Sequence, residues 1–118
     1  MNFKNYVKRA LRTESKLEWI HRVDHALFWM TTEVAEMVDN RKKNLAYWKP
    51  LDIINLKEEI WDLMRYVAIL CDEFWFNFDD ILEKNIDKLR IRFPEKFSND
   101  NANNRDLEAE REALEKPE

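Results

Sequence analysis

The chain has 118 residues, of which 45% are apolar and 37% charged, and its net charge is −4. This is the balance of one soluble globular domain, and it does not favour a nucleic-acid binder, which usually carries a basic face. No apolar run reaches the ~18 residues that a membrane span needs, and the first residues lack the apolar core of a secretion signal. Cys71 is the single cysteine, so no intramolecular disulfide can form. We therefore expect a cytoplasmic protein without nucleic-acid or membrane partners.

Helical periodicity begins close to the start of the chain. It predicts a short first helix over residues 2–12. Ser15 and Glu18 form a capping-box pattern, so a second helix is expected to begin after Ser15. Its apolar positions recur every three or four residues and predict a buried stripe: Val23, Leu27, Met30, Val34 and Met37. We expect this helix to fray over residues 41–45.

Two more helices follow a loop around Pro50. Asp52 is the expected N-cap of the third helix, and Asn77 that of the fourth. The third helix has the apolar stripe Ile53, Leu56, Ile60, Leu63, Val67, Leu70 and Phe74. The fourth has the inward set Phe78, Ile81, Leu82, Ile86 and Leu89. Pro94 should end the fourth helix, because proline disfavours helical geometry at the preceding residue.

The end of the chain is polar. Residues 98–104 are rich in Asn and predict a loop, whereas residues 105–116 carry a sparse apolar pattern and predict a surface helix. The expected fold is all-α: a bundle of four main helices with a C-terminal surface helix. We expect one domain over residues 1–98, with a polar linker and helical tail over 99–118.

Two acidic pairs are candidates for a metal site. Glu33 and Glu36 lie on the second helix, and Glu59 and Asp62 on the third, each pair at i, i+3 and therefore on one face. Every acid precedes a stripe residue by one position, about 100° of rotation. If the helices pack along their stripes, the four carboxylates can converge at the edge of the core. Mg²⁺ takes oxygen ligands and leaves positions open for water and substrate phosphates.

Other uses of these side chains are open from the residues alone. Acids beside a core stripe are often only solvated. A di-iron site needs two Glu-x-x-His motifs, and only Glu18 to His21 is present. His21 and His25 could hold zinc, but no further Cys or His completes such a site.

The fourth helix carries a polar line opposite its apolar side. Asn85, Lys88 and Arg92 follow an i, i+3, i+7 spacing and share one face. An amide, an ammonium and a guanidinium in a row can bind phosphate oxygens, although the same residues also suit an ordinary solvated face.

Taken in order, these elements resemble the MazG-type all-alpha NTP pyrophosphatases. The family pattern is Glu-x-x-Glu on one helix and Glu-x-x-Asp on the next, and here 22 residues separate Glu36 from Glu59. Tyr66, four residues after Asp62, matches a tyrosine frequent in the family. Residues 85–98 are similar to its closing helix and arginine-aromatic-proline stop, and some phage and bacterial members have a tail like residues 104–111. The resemblance covers roughly residues 25–114.

The resemblance implies cleavage of a (d)NTP between the α and β phosphates, giving a nucleoside monophosphate and pyrophosphate. The four acids, Glu33, Glu36, Glu59 and Asp62, would hold Mg²⁺, with Mn²⁺ as a substitute, and one glutamate would orient the attacking water. Lys88 and Arg92 would neutralise the phosphates, and Asn85 and Tyr66 would help to position the nucleotide. It also implies a homodimer or homotetramer. The alternative is a catalytically impaired MazG-like module that binds nucleotides or partners.

The chain departs from that family in its glycines. It has none, and it has five tryptophans, although average glycine usage would give roughly eight. Ala35 and four of the tryptophans (Trp29, Trp48, Trp61 and Trp75) stand where relatives usually have glycine. Four such replacements are expected to overpack a small bundle at about 1–3 kcal/mol each. One hypothesis explains both oddities: the source reads UGA as glycine, and the written sequence translates it as tryptophan.

Overall fold

The computed structural model describes residues 1–117, and every regular element in that range is helical. The helices are α1 (Phe3–Ala10), α2 (Arg22–Tyr47), α3 (Ile53–Phe74), α4 (Phe78–Arg92), α5 (Asn99–Asn103) and α6 (Leu107–Glu115), with a 3₁₀ turn at Leu11–Thr13. This confirms the all-α class. No helix in the described range is long and apolar enough to cross a membrane. The chain divides into two compact units, Met1–Phe76 and Asn77–Glu118.

The first unit is built on the antiparallel pair α2 and α3, with α1 packed against α3. Asp52 caps α3 as expected, its side chain accepting from the backbone N–H of Asn55 at 2.9 Å. Asn40 fastens the connecting loop, since its amide donates to the Asp52 carbonyl at 2.9 Å and accepts from the Asp52 N–H at 3.1 Å. α2 continues to Tyr47, so the expected fraying over 41–45 is wrong.

The predicted start of α2 is also wrong. The helix begins at Arg22, and His21 is its N-cap, with Nδ1 accepting from the Val23 N–H at 3.1 Å. Ser15 lies in a non-helical segment. A capping box is a local signal, and here longer-range ion pairs hold the segment: Arg22 donates to Glu14 at 2.6 Å and to Asp72 at 2.7 Å.

The buried face of the α2–α3 pair carries the acids. The core consists of Ala26, Tyr66 and Ile69, with Leu11, Trp29, Met30 and Leu70 packed against it. Glu33 and Glu59 are buried, whereas their stripe neighbours Val34 and Ile60 are 46% and 50% exposed. On each helix, the most buried line of residues therefore lies about one residue before the predicted apolar stripe. The helices turn their acidic lines toward each other, and one side of the apolar lines remains uncovered in the single chain.

Cys71 is a buried residue of the first unit. Burial raises the pKa of its thiol, which disfavours the reactive thiolate. Cys71 is therefore a small core residue of the first unit.

The second unit consists of α4, α5 and α6, with α6 packed on α4. Asn77 caps α4 as predicted, and the helix ends at Arg92, two residues before Pro94. The expected loop over 98–104 is wrong, because Ser98 caps a short helix by accepting from the Asn101 N–H at 3.1 Å. The predicted inward set of α4 is only partly covered, since Ile81, Leu82 and Ile86 are exposed in the single chain.

Two tryptophans end helices in left-handed backbone geometry. Trp48 follows α2 with φ 56°, and Trp75 follows α3 with φ 57°. Both side chains are more than 90% exposed. Overpacking is therefore not the cost at these two positions, contrary to expectation. The cost lies in the backbone, because the left-handed region is unfavourable for a bulky residue and is usually taken by glycine after a helix.

Candidate active site

Three of the predicted acids converge in the first unit. One carboxylate oxygen each of Glu33, Glu59 and Asp62 lies within 4.8 Å of the other two. Glu33 and Glu59 are only 8% and 3% exposed, and Asp62 is half-buried. Glu36, one turn after Glu33, is exposed and interacts with Glu59 from the solvent side. The structure thus brings together all four acids that the sequence pairs.

Glu59 lies at the centre of this acidic cluster (Glu33, Glu36, Glu59 and Asp62). The side-chain amide of Asn55, one turn earlier on α3, donates to Glu59 Oε1 at 3.1 Å. Glu59 Oε2 is buried and has no hydrogen-bond partner among residues 1–117. Buried polar atoms are nearly always paired, so such an atom requires an explanation, and an ion is one of the few.

The carboxylates perturb each other's protonation. The pKa of Glu59 is raised, chiefly by the adjacent Glu33 carboxylate and then by burial, while the Asn55 amide works in the opposite direction. The pKa of Glu36 is raised mainly by the neighbouring Glu59 carboxylate. Like charges at this distance resist joint ionisation, so a cation would bind in competition with protons.

Arg65 is a cationic side chain close to the acidic cluster. Arg65, three residues after Asp62, donates from Nη2 to the Tyr66 hydroxyl at 3.0 Å. The pKa of Arg65 is raised, first by this hydrogen bond and, among smaller causes, by the charges of Asp62 and Glu33. The Tyr6 hydroxyl donates to the Trp61 carbonyl at 3.4 Å. Trp61 itself is 61% exposed.

Two concavities flank the acidic cluster. On the loop side, an open groove of about 400 Å³ is lined by Glu36, Asp39, Asn40, Lys43, Lys49, Pro50, Asp52, Asn55 and Glu59. Lys43 pairs with Asp39 at 2.8 Å, so Lys49 is the lysine there without a described ion pair among residues 1–117. On the opposite side, a smaller cavity of about 170 Å³ lies between α2, α3 and the segment after α1. We call these the loop groove and the inner cavity.

The residues predicted to bind phosphate lie in two places. Tyr66 is buried in the first unit, where it lines the inner cavity. Asn85, Lys88 and Arg92 lie in the second unit, with Asn85 exposed and the other two half-buried. Arg92 Nε donates to Glu110 at 2.8 Å, a contact that the sequence spacing did not indicate.

Comparison with known proteins agrees with the arrangement of helices and acids. The family described as the MazG nucleotide pyrophosphohydrolase domain matches residues 23–97, which is more than half of the chain. The chain belongs to the MazG family. Searches of curated proteins and of solved structures each gave no match. MazG membership indicates nucleotide pyrophosphohydrolase chemistry with a divalent metal, and the matched range includes the whole acidic cluster.

Sequence reasoning missed several residues around the MazG acids. Asn55 orients Glu59 from one turn away, and an amide four residues before a candidate ligand on a helix could have indicated this contact. Lys49 and Arg65 gave no periodic signal. Their relevance comes from the antiparallel pairing of α2 and α3, which places the loop at one end of the cluster and Arg65 at the other.

Proposed function

We propose that the chain is a Mg²⁺-dependent nucleoside triphosphate pyrophosphohydrolase that converts a (d)NTP to a (d)NMP and pyrophosphate. The observation that carries the proposal is Glu59 Oε2, a buried and unpartnered carboxylate oxygen inside a group of acids. Hard oxygen donors of this kind suit Mg²⁺, with Mn²⁺ as a substitute. The residues present therefore fit the metal that MazG membership indicates.

The metal ligands in this proposal are Glu33, Glu36, Glu59 and Asp62. When bound, the cation neutralises the carboxylates and supplies Lewis acidity toward phosphoryl oxygens. Asn55 holds the Glu59 carboxylate in one orientation. Glu36 is the exposed member of the acidic cluster, and its raised pKa suits a group that accepts a proton from water, so we assign it the orientation of the attacking water.

The phosphates are assigned to basic side chains. Lys49 lines the loop groove beside Glu36 and Glu59, where an ammonium can compensate charge on the departing pyrophosphate. Lys88 and Arg92 remain proposed phosphate contacts, with Asn85 and Tyr66 proposed to position the nucleotide. To contact a phosphate, Arg92 must either bind it with the nitrogens not paired to Glu110 or release that ion pair.

The active form is favoured over an impaired relative by the position of Trp61. Its side chain is exposed, so it does not fill the space among the buried acids. Pyrophosphate release from a panel of ribo- and deoxy-NTPs with Mg²⁺ tests the activity directly. Lys88→Ala should impair turnover while leaving the Mg²⁺-induced thermal shift unchanged. Loss of both would contradict separate substrate and metal roles.

We also propose a homodimer or homotetramer. Exposed apolar residues recur along α2 at Leu27, Val34 and Val38 and along α3 at Ile53 and Ile60, an apolar face of the first unit that the single chain leaves uncovered. Light scattering should show a species larger than 14.5 kDa at micromolar concentration. Val38→Glu should shift it toward monomer, and Asp39→Glu is the matched surface control.

A further inference from the structure

The inner cavity is a polar chamber beside the MazG acids. Its polar and aromatic lining residues are Thr13, Glu14, Ser15, His25, Trp29, Arg65 and Tyr66, and both Glu14 carboxylate oxygens accept from Arg22. Trp29 lies one turn before Glu33, and Tyr66 lies one turn after Asp62. Because α2 and α3 are antiparallel, both displacements point to the same end of the pair, about 6 Å along the axis from the acids. The loop groove lies at the other end, so the acidic cluster stands between the two.

His25 is the unusual residue of this chamber. It is only 7% exposed, and it lines the cavity. Its ring meets Trp29 edge-on, with centroids 4.4 Å apart, and lies 6.0 Å from the Tyr66 ring. A buried imidazole normally pairs at least one nitrogen. The ring nitrogens of His25 can therefore form hydrogen bonds to a bound molecule, beside the aromatic rings of Trp29 and Tyr66.

Arg65 adds a donor to the same chamber. Its Nη2 donates to the Tyr66 hydroxyl at 3.0 Å, and its guanidinium carbon lies 5.2 Å from the Tyr66 ring centroid. A guanidinium has five N–H donors and no acceptor, so it recognises oxygen or nitrogen acceptors and rejects donors. A flat ring bearing carbonyl oxygens matches this set of aromatic walls and donors.

The volume limits the size of that ring. The cavity measures about 170 Å³, and a protein cavity of about 150 Å³ accommodates one benzene molecule. A six-membered ring matches that volume, whereas a larger fused purine matches it less well. We propose that the inner cavity holds the base of a pyrimidine nucleoside triphosphate, with Arg65 donating to ring carbonyl oxygens, His25 meeting the ring edge, and the β and γ phosphates extending toward Lys49. The inference rests on the pyrophosphohydrolase function proposed above and adds the base class and the direction of the substrate.

Competition kinetics with Mg²⁺ and matched pyrimidine and purine triphosphates test the base class. We expect kcat/KM for CTP, UTP or their deoxy forms to exceed that for ATP and GTP by tenfold or more. Arg65→Met should lower pyrimidine kcat/KM at least tenfold, chiefly through KM, and narrow the gap between bases. The Mg²⁺-induced thermal shift should be unchanged. Arg12→Met, an exposed arginine on the adjacent 3₁₀ turn, is the matched control and should behave as the parent.

A second variant tests the cavity without altering Arg65. Ser15 is exposed at the rim of the cavity, so Ser15→Leu can narrow the chamber without disturbing the core. It should weaken calorimetric binding of an α,β-methylene pyrimidine triphosphate tenfold or more while sparing Mg²⁺ binding.

The outcomes separate the two proposals. Hydrolysis of purine triphosphates as fast as pyrimidine ones, or equal losses for all bases in Arg65→Met, would overturn the pyrimidine assignment and leave the hydrolase function intact. Tight binding of the pyrimidine analogue without hydrolysis of any triphosphate would support the cavity assignment and reject the enzymatic function.

Discussion

Two glutamates of this chain are equally buried, but their neighbours carry opposite charges. Glu59 in the first unit and Glu110 in the second are each 3% exposed. Glu110 accepts from Arg92 at 2.8 Å and from Arg105 at 3.1 Å, one guanidinium for each carboxylate oxygen. Glu59 accepts from one neutral amide, and its other oxygen has no partner among residues 1–117.

The difference appears directly in the protonation of the two groups. The pKa of Glu59 is raised by its carboxylate neighbours and by burial. At Glu110, burial would raise the pKa, but the hydrogen bonds from Arg92 and Arg105 prevail and lower it. Burial alone therefore does not indicate what a carboxylate does. A buried carboxylate that is paired with arginines stabilises the fold. A buried carboxylate that lacks a cationic partner and lies among other carboxylates is suited to bind a metal ion.

The largest effect is expected from Glu59→Gln. The change keeps the shape of the side chain and removes its charge, so a metal ligand is lost without opening a cavity. We expect turnover to fall at least 100-fold, about 2.7 kcal/mol of barrier. The metal-free protein should unfold at the same temperature or higher, because one of the mutually repelling acids is gone. Glu58→Gln, the exposed neighbour, is the matched control. Turnover within tenfold of the parent would reject the assignment of Glu59.

Glu110→Gln should produce the complementary result. Removing the charge leaves two guanidinium groups around a neutral amide, and α6 loses its ion pair to α4. The thermal midpoint should fall by several degrees in the absence of substrate, with Mg²⁺ binding unchanged. Glu108→Gln on the exposed side of α6 supplies the control. An unchanged midpoint would show that the second unit does not depend on this carboxylate.

The pH dependence of folding stability should distinguish Glu59 from Glu110 further. Glu110 has a lowered pKa in the folded state, so its contribution is present above the ordinary value of 4.5 and is lost as pH falls through the folded value. Glu59 and Glu36 have raised pKa values, so their contribution is greatest below 4.5 and is lost as pH rises through the folded values.

Urea midpoints measured without metal from pH 3 to pH 8 can detect both trends. Glu59→Gln should flatten the decline on the alkaline side, and Glu110→Gln the decline on the acid side. Mg²⁺ should restore stability at neutral pH in the parent, by about 2.7 kcal/mol at 100 times its Kd. If both variants change the urea midpoint on the same side of the pH profile, the opposite pKa directions assigned to Glu59 and Glu110 are wrong.

The smallest expected effect concerns the helix ends that bound the first unit. Trp48→Gly and Trp75→Gly should each stabilise the protein by about 1 kcal/mol, because the left-handed conformation carries no Cβ penalty in glycine. Trp19→Gly is the control, since Trp19 is exposed but has no positive φ. TGA codons at positions 29, 48, 61 and 75 of the gene would support recoded glycines, and TGG codons would reject that hypothesis.

The sequence by itself determined the helical class, the starts of α3 and α4, the end of α4 and the acids of the candidate site. Local chemistry suffices for these features: Asp52 and Asn77 cap their helices with their own side chains, and Pro94 disfavours helical geometry in the residue before it. The i, i+3 spacing fixes which acids share a face regardless of what the helix packs against.

Only the tertiary structure decided which face of each helix is buried. The apolar and acidic lines differ by about 100° of rotation, and a single periodic pattern cannot say which of two adjacent lines turns inward. Glu33 and Glu59 are buried while Val34 and Ile60 are exposed, the reverse of what hydrophobicity favours. Pairings distant in sequence, such as Arg22 with Asp72 and Arg92 with Glu110, are likewise set by packing, because nothing in the local sequence encodes the partner of a long side chain.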